Sequence, residues 1–326
     1  MNIAIIGCGL AGRKRWHALR GQHRVVMTVD SDRERAEALA ASSLGTLAST
    51  DWTAAVTHPE VETVIISTTN NCLAPMSEAA IENGKHVLVE KPAARTPQEL
   101  DQVLKALVRR NVCAWVGFNH RYHPALQRAR VMVDSGELGQ LMFIRGRYGH
   151  GGRLGYDREW RADPELSGGG ELLDQGVHLI DLARWFLGDF PHVVGSIRTY
   201  FWQMTPEDNG FMLLQTQSGQ TAWLHASSTE WKNLFSFEIY GKKGKLHVEG
   251  LGGSYGVERL SYYKMSAEMG PPETVIWEYP GEDLSWQREF DAFLQTVKRG
   301  AYTPASLENA RAALQIVHKI YQETPV

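Results

Sequence analysis

The sequence predicts an α/β protein in which a doubly wound parallel sheet is followed by a C-terminal α/β domain with a large open, mostly antiparallel sheet. A glycine-rich turn, 7–12, directly follows the short apolar run 2–6. Apolar runs then alternate with helical stretches over about the first 115 residues, as in parallel strands joined by helical crossovers. From about residue 119, longer strands and short glycine-containing turns take over, which is typical of antiparallel sheets.

Length and composition indicate a soluble enzyme with two domains. The 326 residues exceed one core of ~100–200 residues, and we expect domains at 1–118 and 119–326. A formal charge of −3 gives no basis for binding nucleic acid or an anionic membrane. No apolar run approaches the ~20 residues that span a bilayer, and the first strand starts at Asn2, so no signal peptide is expected. The widely spaced cysteines predict buried, reduced thiols and a cytoplasmic location; they are Cys8, Cys72 and Cys113.

The glycine turn has the spacing of a dinucleotide-binding fingerprint. It lies between a strand and a helix, and an acidic residue closes the second strand about 20 positions later. Gly7 then allows the tight turn, Gly9 lets the pyrophosphate approach, and Gly12 packs the helix against the strand. Unpaired N–H groups at the start of the helix, at Leu10 and Ala11, bind the phosphates. The first domain is therefore predicted to be a Rossmann domain that binds a pyridine nucleotide.

The residue that closes the second strand predicts which nucleotide is bound. Asp30 can accept hydrogen bonds from both adenosine ribose hydroxyls and repels a 2′-phosphate, which favours NAD. Ser31 and Arg33 could embrace that phosphate instead, although Arg33 also fits a solvated residue in the first turn of a helix. NAD is the predicted cofactor, and NADP is the alternative.

The alternation of strands and helices continues to the end of the first domain. Thr96, with Pro97 at the first helical position and Glu99 three residues after Thr96, has the pattern of a capped helix N-terminus. The other predicted elements are a helix over 32–41, a strand over 63–67, a helix over 75–83 and strands over 86–89 and 112–116.

A lysine follows the buried strand 86–89 almost directly. Glu90-Lys91-Pro92 lies at the carboxyl end of that strand, where open α/β sheets bind ligands. Pro92 fixes its own φ and restricts Lys91 to extended conformations, so the direction of the amine is determined. A surface lysine is the plain alternative, but this is an unusual place for one.

A second polar stretch opens a helix in the later part of the chain. Asp174 and His178 follow the glycine run 168–170 and are four residues apart. On a helix this spacing puts both side chains on one face, with Cβ atoms ~5–6 Å apart. His178 could be a core histidine whose hydrogen bonds are made within the protein, but the glycines and the preceding aspartate favour a functional site. We expect Lys91, Asp174 and His178 to converge on one substrate.

The second domain is predicted to contain long strands and two closing helices. The first of the long strands is expected over Val193–Met204, and an exposed apolar sheet face indicates a partner. The helices are expected over Leu284–Lys298 and Pro304–Tyr321. The last helix has a core-facing apolar stripe, which consists of Leu307, Ala310, Leu314, Val317 and Tyr321.

By these motifs the chain resembles the glucose-fructose oxidoreductase / inositol dehydrogenase family (Gfo/Idh/MocA). Besides the glycine fingerprint, the resemblance rests on the stretch 83–92, on 117–124, and on 168–181 with its Asp-x-Gly-x-His pattern. It covers nearly the whole chain and weakens between about 250 and 280. One departure follows the strand 63–67, where the family commonly has Thr-Pro-Asn and a histidine, and this chain has Thr-Thr-Asn-Asn.

The resemblance implies an activity and an assembly. Members are usually pyridine-nucleotide oxidoreductases acting on a secondary alcohol or ketone of a sugar, nucleotide-sugar or cyclitol. They are often joined through the sheet of the second domain, so a homodimer or homotetramer is expected. No metal ligand set is assigned. Further cofactor contacts are expected at Ser67, Thr68, Asn70, Glu90 and Lys91. Substrate contacts are expected at Lys91, Asn119, Arg121, Tyr122, Tyr148, Trp160, Asp174 and His178.

The stretch 145–161 carries a concentration of cationic and aromatic side chains. Guanidinium groups around a loop could receive an anionic substrate, such as a nucleotide-sugar or sugar acid. A solvated or subunit-contacting loop explains them at least as well. The residues concerned are Arg145, Arg147, Arg153, Arg158 and Arg161, with Tyr148, His150, Tyr156 and Trp160.

The predicted chemistry divides two tasks between a base and a cation. His178 takes the proton from the substrate hydroxyl, and Lys91 stabilises the developing alkoxide charge. Asp174 orients His178 or holds a neighbouring hydroxyl, while Asp181 is expected to make a structural hydrogen bond. The leading hypothesis is an NAD-dependent dehydrogenase or reductase. The alternatives are an NAD-retaining glycosidase or lyase that oxidises its substrate transiently, and a non-enzymatic NAD-dependent regulator.

Overall fold

The computed structural model describes residues 1–300 and 304–324, and it divides the chain into two compact units. The first contains Met1–Phe118, Glu165–Gly168 and Trp286–Gln315. The second contains Asn119–Pro164, Gly169–Ser285 and the chain from Ile316 onward. The predicted contiguous division, 1–118 and 119–326, therefore differs from the observed one by the two later segments of the first unit. The assignment of a function to each part stays a prediction.

The first unit contains the predicted doubly wound sheet. Six strands pair in the order β3-β2-β1-β4-β5-β6, all parallel. The order reverses at β1, so the carboxyl ends of β1 and β4 border the crevice where such sheets bind ligands. The strands are β1 Asn2–Ile6, β2 Arg24–Val29, β3 Leu47–Ser49, β4 Thr63–Ile66, β5 His86–Glu90 and β6 Ala114–Gly117. The helices are α1 Leu10–Ala18, α2 Arg33–Ala40, α3 Trp52–Thr57, α4 Asn70–Glu82 and α5 Pro97–Arg109.

The core of the first unit lies between the sheet and its helices. Ile5, Ile65 and Leu88 from three neighbouring strands are fully buried, as continuous β-branched and leucine runs of parallel sheets are. Phe290 and Phe293, from the helix α9 over Ser285–Lys298, pack in the same cluster. This explains why a late segment of the chain belongs to the first unit.

Two helix starts in the first unit test the expectations about proline and capping. The capped N-terminus of α5 is confirmed, because the Thr96 side chain accepts the N–H of Glu99 with Pro97 in the first turn. The expectation that α4 begins at Pro75 is wrong. The helix begins at Asn70, and Pro75 lies inside it, at the cost of one backbone hydrogen bond. The start of α4 thereby follows β4 closely.

The second unit contains a sheet of eight strands in the order β14-β13-β12-β11-β7-β10-β9-β8. Among these described pairs only β7 and β10 run parallel, so the mostly antiparallel sheet is confirmed. The strands are β7 Leu141–Gly149, β8 His192–Arg198, β9 Asn209–Gln215, β10 Thr221–Ser227, β11 Leu234–Gly241, β12 Gly244–Glu249, β13 Glu258–Lys264 and β14 Thr274–Tyr279. The helices are α6 Pro124–Asp134, the single turn α7 Pro164–Ser167, and α8 Val177–Leu187.

One face of this sheet is covered and the other is exposed. On the covered face Gly146 lets Leu179 of α8 approach, since a Cβ there would lie 3.2 Å from that side chain. On the other face Val194, Leu213 and Trp223 lie in one row across β8, β9 and β10. Their exposed fractions are 64%, 47% and 46%, so a band of apolar surface faces outward.

The predicted strand over Val193–Met204 is too long, because β8 ends at Arg198. The chain then folds around the buried carboxylate of Asp208, which accepts the backbone N–H groups of Tyr200, Phe201 and Trp202. A carboxylate that binds three consecutive amides replaces the hydrogen bonds of a strand.

Both closing helices are present. Besides α9, the helix α10 spans Ala305–Glu323, close to the predicted Pro304–Tyr321. Its apolar stripe is buried from Leu307 to Val317, as expected. Across residues 1–300 and 304–324, no helix combines the length and apolar character that crossing a membrane requires. The three cysteines form no disulfide, and Cys72 is only half-buried, contrary to the expectation.

Candidate active site

The glycine loop after β1 is closed at both ends and open in the middle. Gly7 has φ +91°, and a Cβ there would lie 2.3 Å from the Ser67 carbonyl oxygen. A Cβ on Gly12 would lie 1.9 Å from the Gly7 carbonyl oxygen, whereas a Cβ on Gly9 would meet nothing within 4 Å. The backbone at Gly9 therefore faces open space at the N-terminus of α1, which is the geometry that a bound pyrophosphate needs.

Asp30 follows β2 and lies against the glycine loop. Its carboxylate accepts the backbone N–H of Cys8 at 2.7 Å and that of Asp32 at 2.9 Å. Arg33 is exposed and lies 3.5 Å from Glu37 on the outer side of α2. Ser31 is also exposed. A negative charge thus stands beside the loop.

The residues after β4 contribute mainly hydrogen bonds to the backbone. The Ser67 hydroxyl donates to the Gly7 carbonyl oxygen at 3.1 Å. The Asn70 side chain is buried and donates to the Ser167 carbonyl oxygen at 2.8 Å. Thr68 is half-buried, as is Ala11, while Leu10 is 68% exposed at the start of α1. Ser67 therefore fixes the turn that exposes the amide groups of α1.

The Lys91 loop is a tight turn at the carboxyl end of β5. The N–H of Ala93 donates to the Glu90 carbonyl oxygen at 3.0 Å, and the Lys91-Pro92 peptide is cis. Ala93 has φ +73° and is fully buried, which is an uncommon conformation for a residue with a Cβ. Such backbone strain concentrates at functional sites. The Glu90 side chain is itself buried and bound by Arg15.

In the second unit, a buried carboxylate caps the segment that carries Asp174 and His178. Glu207 accepts the backbone N–H groups of Gly170 and Leu172, both at 3.0 Å, and the hydroxyl of Tyr321 at 2.8 Å. Burial raises the pKa of Glu207 to about 7, although the hydroxyl and amide donors oppose the rise. A Cβ on Gly170 would lie 1.9 Å from the Glu207 carbonyl oxygen, which explains this glycine.

Contrary to the prediction, Asp174 and His178 do not lie on one regular α-helix. A single π-helical turn, Leu172–Gly176, carries Asp174 and leads into α8, which carries His178. π-turns inside helices are frequent at functional sites. Both side chains are buried, with exposed fractions of 8% and 4%.

Each of these two residues has a neighbour that sequence reasoning did not assign to it. The Arg161 guanidinium donates to the Asp174 carboxylate at 2.8 Å, and the charge of Asp174 raises the pKa of Arg161. The His120 ring lies on the His178 ring, with centroids 3.8 Å apart and planes inclined by 31°. An imidazole pair and a buried ion pair thus flank the two predicted site residues.

Of the residues expected to contact the substrate, Asn119 and Arg121 hydrogen-bond to other side chains of the protein, and Tyr148 is buried. Tyr148 is buried, hydrogen-bonds Tyr255 and lies 5.0 Å from the His120 ring. Asn119 donates to the Ser285 hydroxyl at 2.9 Å. Arg121 binds Asp181 through two bonds of 2.7 and 2.6 Å, so the expected structural hydrogen bond of Asp181 is confirmed. The remaining two, Tyr122 and Trp160, are half-buried.

Three of the five arginines between 145 and 161 are paired with carboxylates. Arg145 binds Glu238, Arg153 binds Glu159, and Arg161 binds Asp174. A guanidinium group whose charge is matched by a carboxylate attracts an anionic ligand weakly. The expectation that this stretch receives an anionic substrate is therefore not supported by the local pairing.

Sequence reasoning missed Arg15, although a signal was present. Gly12 and Arg15 are three residues apart on α1, so both lie on the face that packs on the sheet. A cation on that face requires a buried carboxylate partner. No comparable signal marked Glu207, which acts on a segment 35 residues away.

Comparison with protein families identifies the chain. The NAD-binding Rossmann domain model of the Gfo/Idh/MocA oxidoreductases matches residues 1–118, and the model of the family's C-terminal domain matches residues 126–247. The chain belongs to the Gfo/Idh/MocA family. The resemblance inferred from the motifs and the NAD-binding Rossmann fold are thereby confirmed.

Two relatives agree with this membership, and one solved structure has the same fold. Levoglucosan dehydrogenase of Pseudarthrobacter phenanthrenivorans is 30% identical over 67% of this chain and 59% of its own length. Inositol 2-dehydrogenase 2 of Saccharopolyspora erythraea is 30% identical over 67% of this chain and 64% of its own length. The chain thus spans about three-fifths of these relatives. A structure of levoglucosan dehydrogenase in complex with NADH and L-sorbose shows the same fold, with a TM-score of 0.86, 23% identity, and coverage of 99% of this chain and 97% of that one.

Proposed function

We propose that this protein is an NAD-dependent oxidoreductase that interconverts a secondary alcohol and a ketone of a sugar or cyclitol. The observation that carries the proposal is the glycine loop, which is closed at Gly7 and Gly12 and open at Gly9. An open backbone at a helix N-terminus suits a pyrophosphate. The substrate class is supported by the two relatives described above, which by name act on levoglucosan and on inositol.

The chain's own residues divide the work of the reaction. When bound, the nicotinamide ring supplies the hydride acceptor. His178 takes the proton of the substrate hydroxyl, because a neutral imidazole accepts a proton readily near neutral pH. Lys91 donates a hydrogen bond to the reacting oxygen and stabilises its developing negative charge. Asp174, whose carboxylate is held by Arg161, orients His178 or binds a neighbouring substrate hydroxyl. In the reducing direction His178 donates the proton.

Charge beside the glycine loop supports NAD over NADP. The Asp30 carboxylate lies 2.7 Å from the Cys8 amide nitrogen, where it can accept ribose hydroxyls and repel a 2′-phosphate. Arg33, which could have bound that phosphate, faces Glu37 at the surface. NADP is the alternative that a direct comparison of the two nucleotides tests.

For the substrate, the local charges favour a neutral polyol over a nucleotide-sugar, because Arg145, Arg153 and Arg161 each hold a carboxylate. Hydrogen-bonding and aromatic groups recognise such a ring. We assign this role to Tyr122, Tyr148 and Trp160, because Asn119 and Arg121 already bind Ser285 and Asp181.

The exposed band on the second unit's sheet supports a homo-oligomer. Val194, Leu213 and Trp223 present contiguous apolar surface on the outer face, and such surface on a soluble protein usually binds a partner. We propose that two copies meet through this face. Light scattering of the wild type and of Trp223→Glu tests this, and a monomeric wild type would refute it.

The activity is tested by absorbance at 340 nm. Purified protein is mixed with NAD or NADP and a panel of levoglucosan, myo-inositol and free hexoses. We expect a rise with one polyol and NAD, and a fall of kcat by about 10²- to 10³-fold in Lys91→Ala, because the oxygen loses its positioned cation. No rise with any polyol, together with nucleotide retained through purification, would refute net oxidation and favour a glycosidase or lyase that oxidises its substrate transiently.

A further inference from the structure

Arg15 is the largest of the fully buried side chains among the described residues. It lies on α1, the helix whose N-terminus faces the open position at Gly9, and its exposed fraction is 0%. Arginine is almost never fully buried unless it is paired. A fully buried cation on this helix therefore requires negatively charged partners inside the protein.

Its partners come from two segments far away in the sequence. Nε of Arg15 donates to Oε1 of Glu90 at 2.6 Å, and Nη2 lies 2.6 Å from the same oxygen. Nη1 donates to Oε2 of Glu289 at 2.6 Å. The guanidinium carbon lies 4.4 Å from the centroid of the Trp286 ring, within the range of cation–π contacts. Burial opposes the charge of Arg15, but the two carboxylates outweigh it and raise the pKa of the guanidinium.

The sheet leaves room for this guanidinium at Gly117, where a side chain is missing. Gly117, at the end of β6, is paired in register with Glu90 at the end of β5. A Cβ on Gly117 would lie 2.4 Å from Nη2 of Arg15 and 3.2 Å from both carboxylate oxygens of Glu90. Any other residue at 117 would therefore displace the ion pair. The buried position of Arg15 therefore depends on glycine at position 117.

We infer that Arg15 is a positioning residue, which couples the nucleotide-binding helix to the lysine that acts on the substrate. Arg15 holds the carboxylate of Glu90, and Glu90 immediately precedes Lys91 in the tight turn closed by Ala93. The guanidinium thereby joins α1, which carries Gly9 at its start, to the strand end that carries Lys91. This inference rests on the proposed function, because it assigns Arg15 an effect through Lys91.

The two carboxylates provide a matched pair of variants. Loss of Arg15 would leave two buried carboxylates without their cation, which is strongly destabilising. Glu90→Gln and Glu289→Gln each leave Arg15 with one carboxylate and keep the shape of the side chain. Of the two, only Glu90 adjoins Lys91 in the chain. A purely structural ion network would respond alike to both substitutions.

The first experiment compares kcat, the Kd for NADH and the thermal midpoint of the two variants. We expect the two variants to have similar thermal midpoints. We expect the Kd for NADH of each to lie within about twofold of the wild-type value, because Arg15 on α1 keeps one buried carboxylate in both. We expect kcat to fall about 10- to 100-fold in Glu90→Gln alone, the size of effect that a displacement of about 1 Å has on a reacting group. Equal losses of kcat in both variants, or no loss in either, would overturn the inference.

The second experiment asks whether Glu90 acts through Lys91. In a double-mutant cycle, Glu90→Gln is expected to lower kcat no further once Lys91→Ala is present, because coupled residues are not additive. Additive losses would show that Glu90 acts by another route. Failure of the proposed function is a different result: the wild type would then reduce no NAD with any polyol, while the two variants could still be compared by NADH affinity and thermal midpoint.

Discussion

The buried carboxyl of Glu207 makes the stability of the protein depend on pH in a direction opposite to that of most acids. The group has a pKa of about 7 in the folded protein because it is buried, against 4.5 for an ordinary glutamic acid. Between these values the folded chain keeps a proton that the unfolded chain has lost. Stability therefore falls as pH rises from about 4.5 to about 7.

The magnitude follows from the two pKa values. Their difference is about 2.5, and at ~1.36 kcal/mol for each pKa unit this gives about 3 kcal/mol across the whole range. Most of that change, about 2 to 3 kcal/mol, falls between pH 5 and pH 8. Glu207→Gln carries no titrating group, so it is expected to lack this part of the pH dependence.

The assay is urea unfolding, followed by tryptophan fluorescence, of wild type and Glu207→Gln at pH 5 and pH 8. We expect the wild type to lose about 2 to 3 kcal/mol more than the variant between these two conditions. Tyr321→Phe serves as the control, because the Tyr321 hydroxyl lowers the pKa of Glu207. Its removal should shift the wild-type loss to higher pH. Identical pH dependence in wild type and Glu207→Gln would refute the reasoning.

Two further predictions concern the nucleotide site. Gly9→Ala should keep the wild-type thermal midpoint but raise the Kd for NADH by about 10-fold or more, since the new Cβ meets no protein atom and projects into the space for the pyrophosphate. Gly12→Ala should lower the midpoint itself, because its Cβ would lie 1.9 Å from the Gly7 carbonyl oxygen; equal midpoints by differential scanning fluorimetry would contradict this contrast. Asp30→Asn should reduce the preference for NAD over NADP about 10-fold in kcat/KM, because it removes the charge that repels the 2′-phosphate, and an unchanged ratio would show that Asp30 does not read the ribose.

Much of the first unit could be predicted because local sequence specifies it. The doubly wound parallel sheet follows from alternating apolar runs and helices. The three glycines of the loop differ in the space around them, as the fingerprint predicts: Gly7 and Gly12 are enclosed, and Gly9 is open. The glycine spacing itself is local, although the residue that encloses Gly7 is Ser67, 60 positions away.

The features that could not be predicted depend on contacts between distant residues, which the spacing of apolar residues along the sequence does not reveal. Arg15 meets Glu289 across 274 positions, and Glu207 caps a helix from 37 positions away. The π-turn at Asp174 was not predictable either, because a spacing of four residues brings two side chains together on an α-turn as well as on a π-turn. The sequence does not predict the early start of α4, because proline favours the first position of a helix and Pro75 lies inside this one.

The arrangement around Arg15 also limits how the chain can diverge or be redesigned. Loss of Arg15 leaves the buried carboxylates of Glu90 and Glu289 without their cation, and a larger residue at Gly117 displaces the guanidinium. These four positions should therefore covary across homologues rather than drift separately. A glycine loop and α1 grafted from another dehydrogenase would bring their own residue at position 15. They would therefore need the donor's partner residues at the other three places.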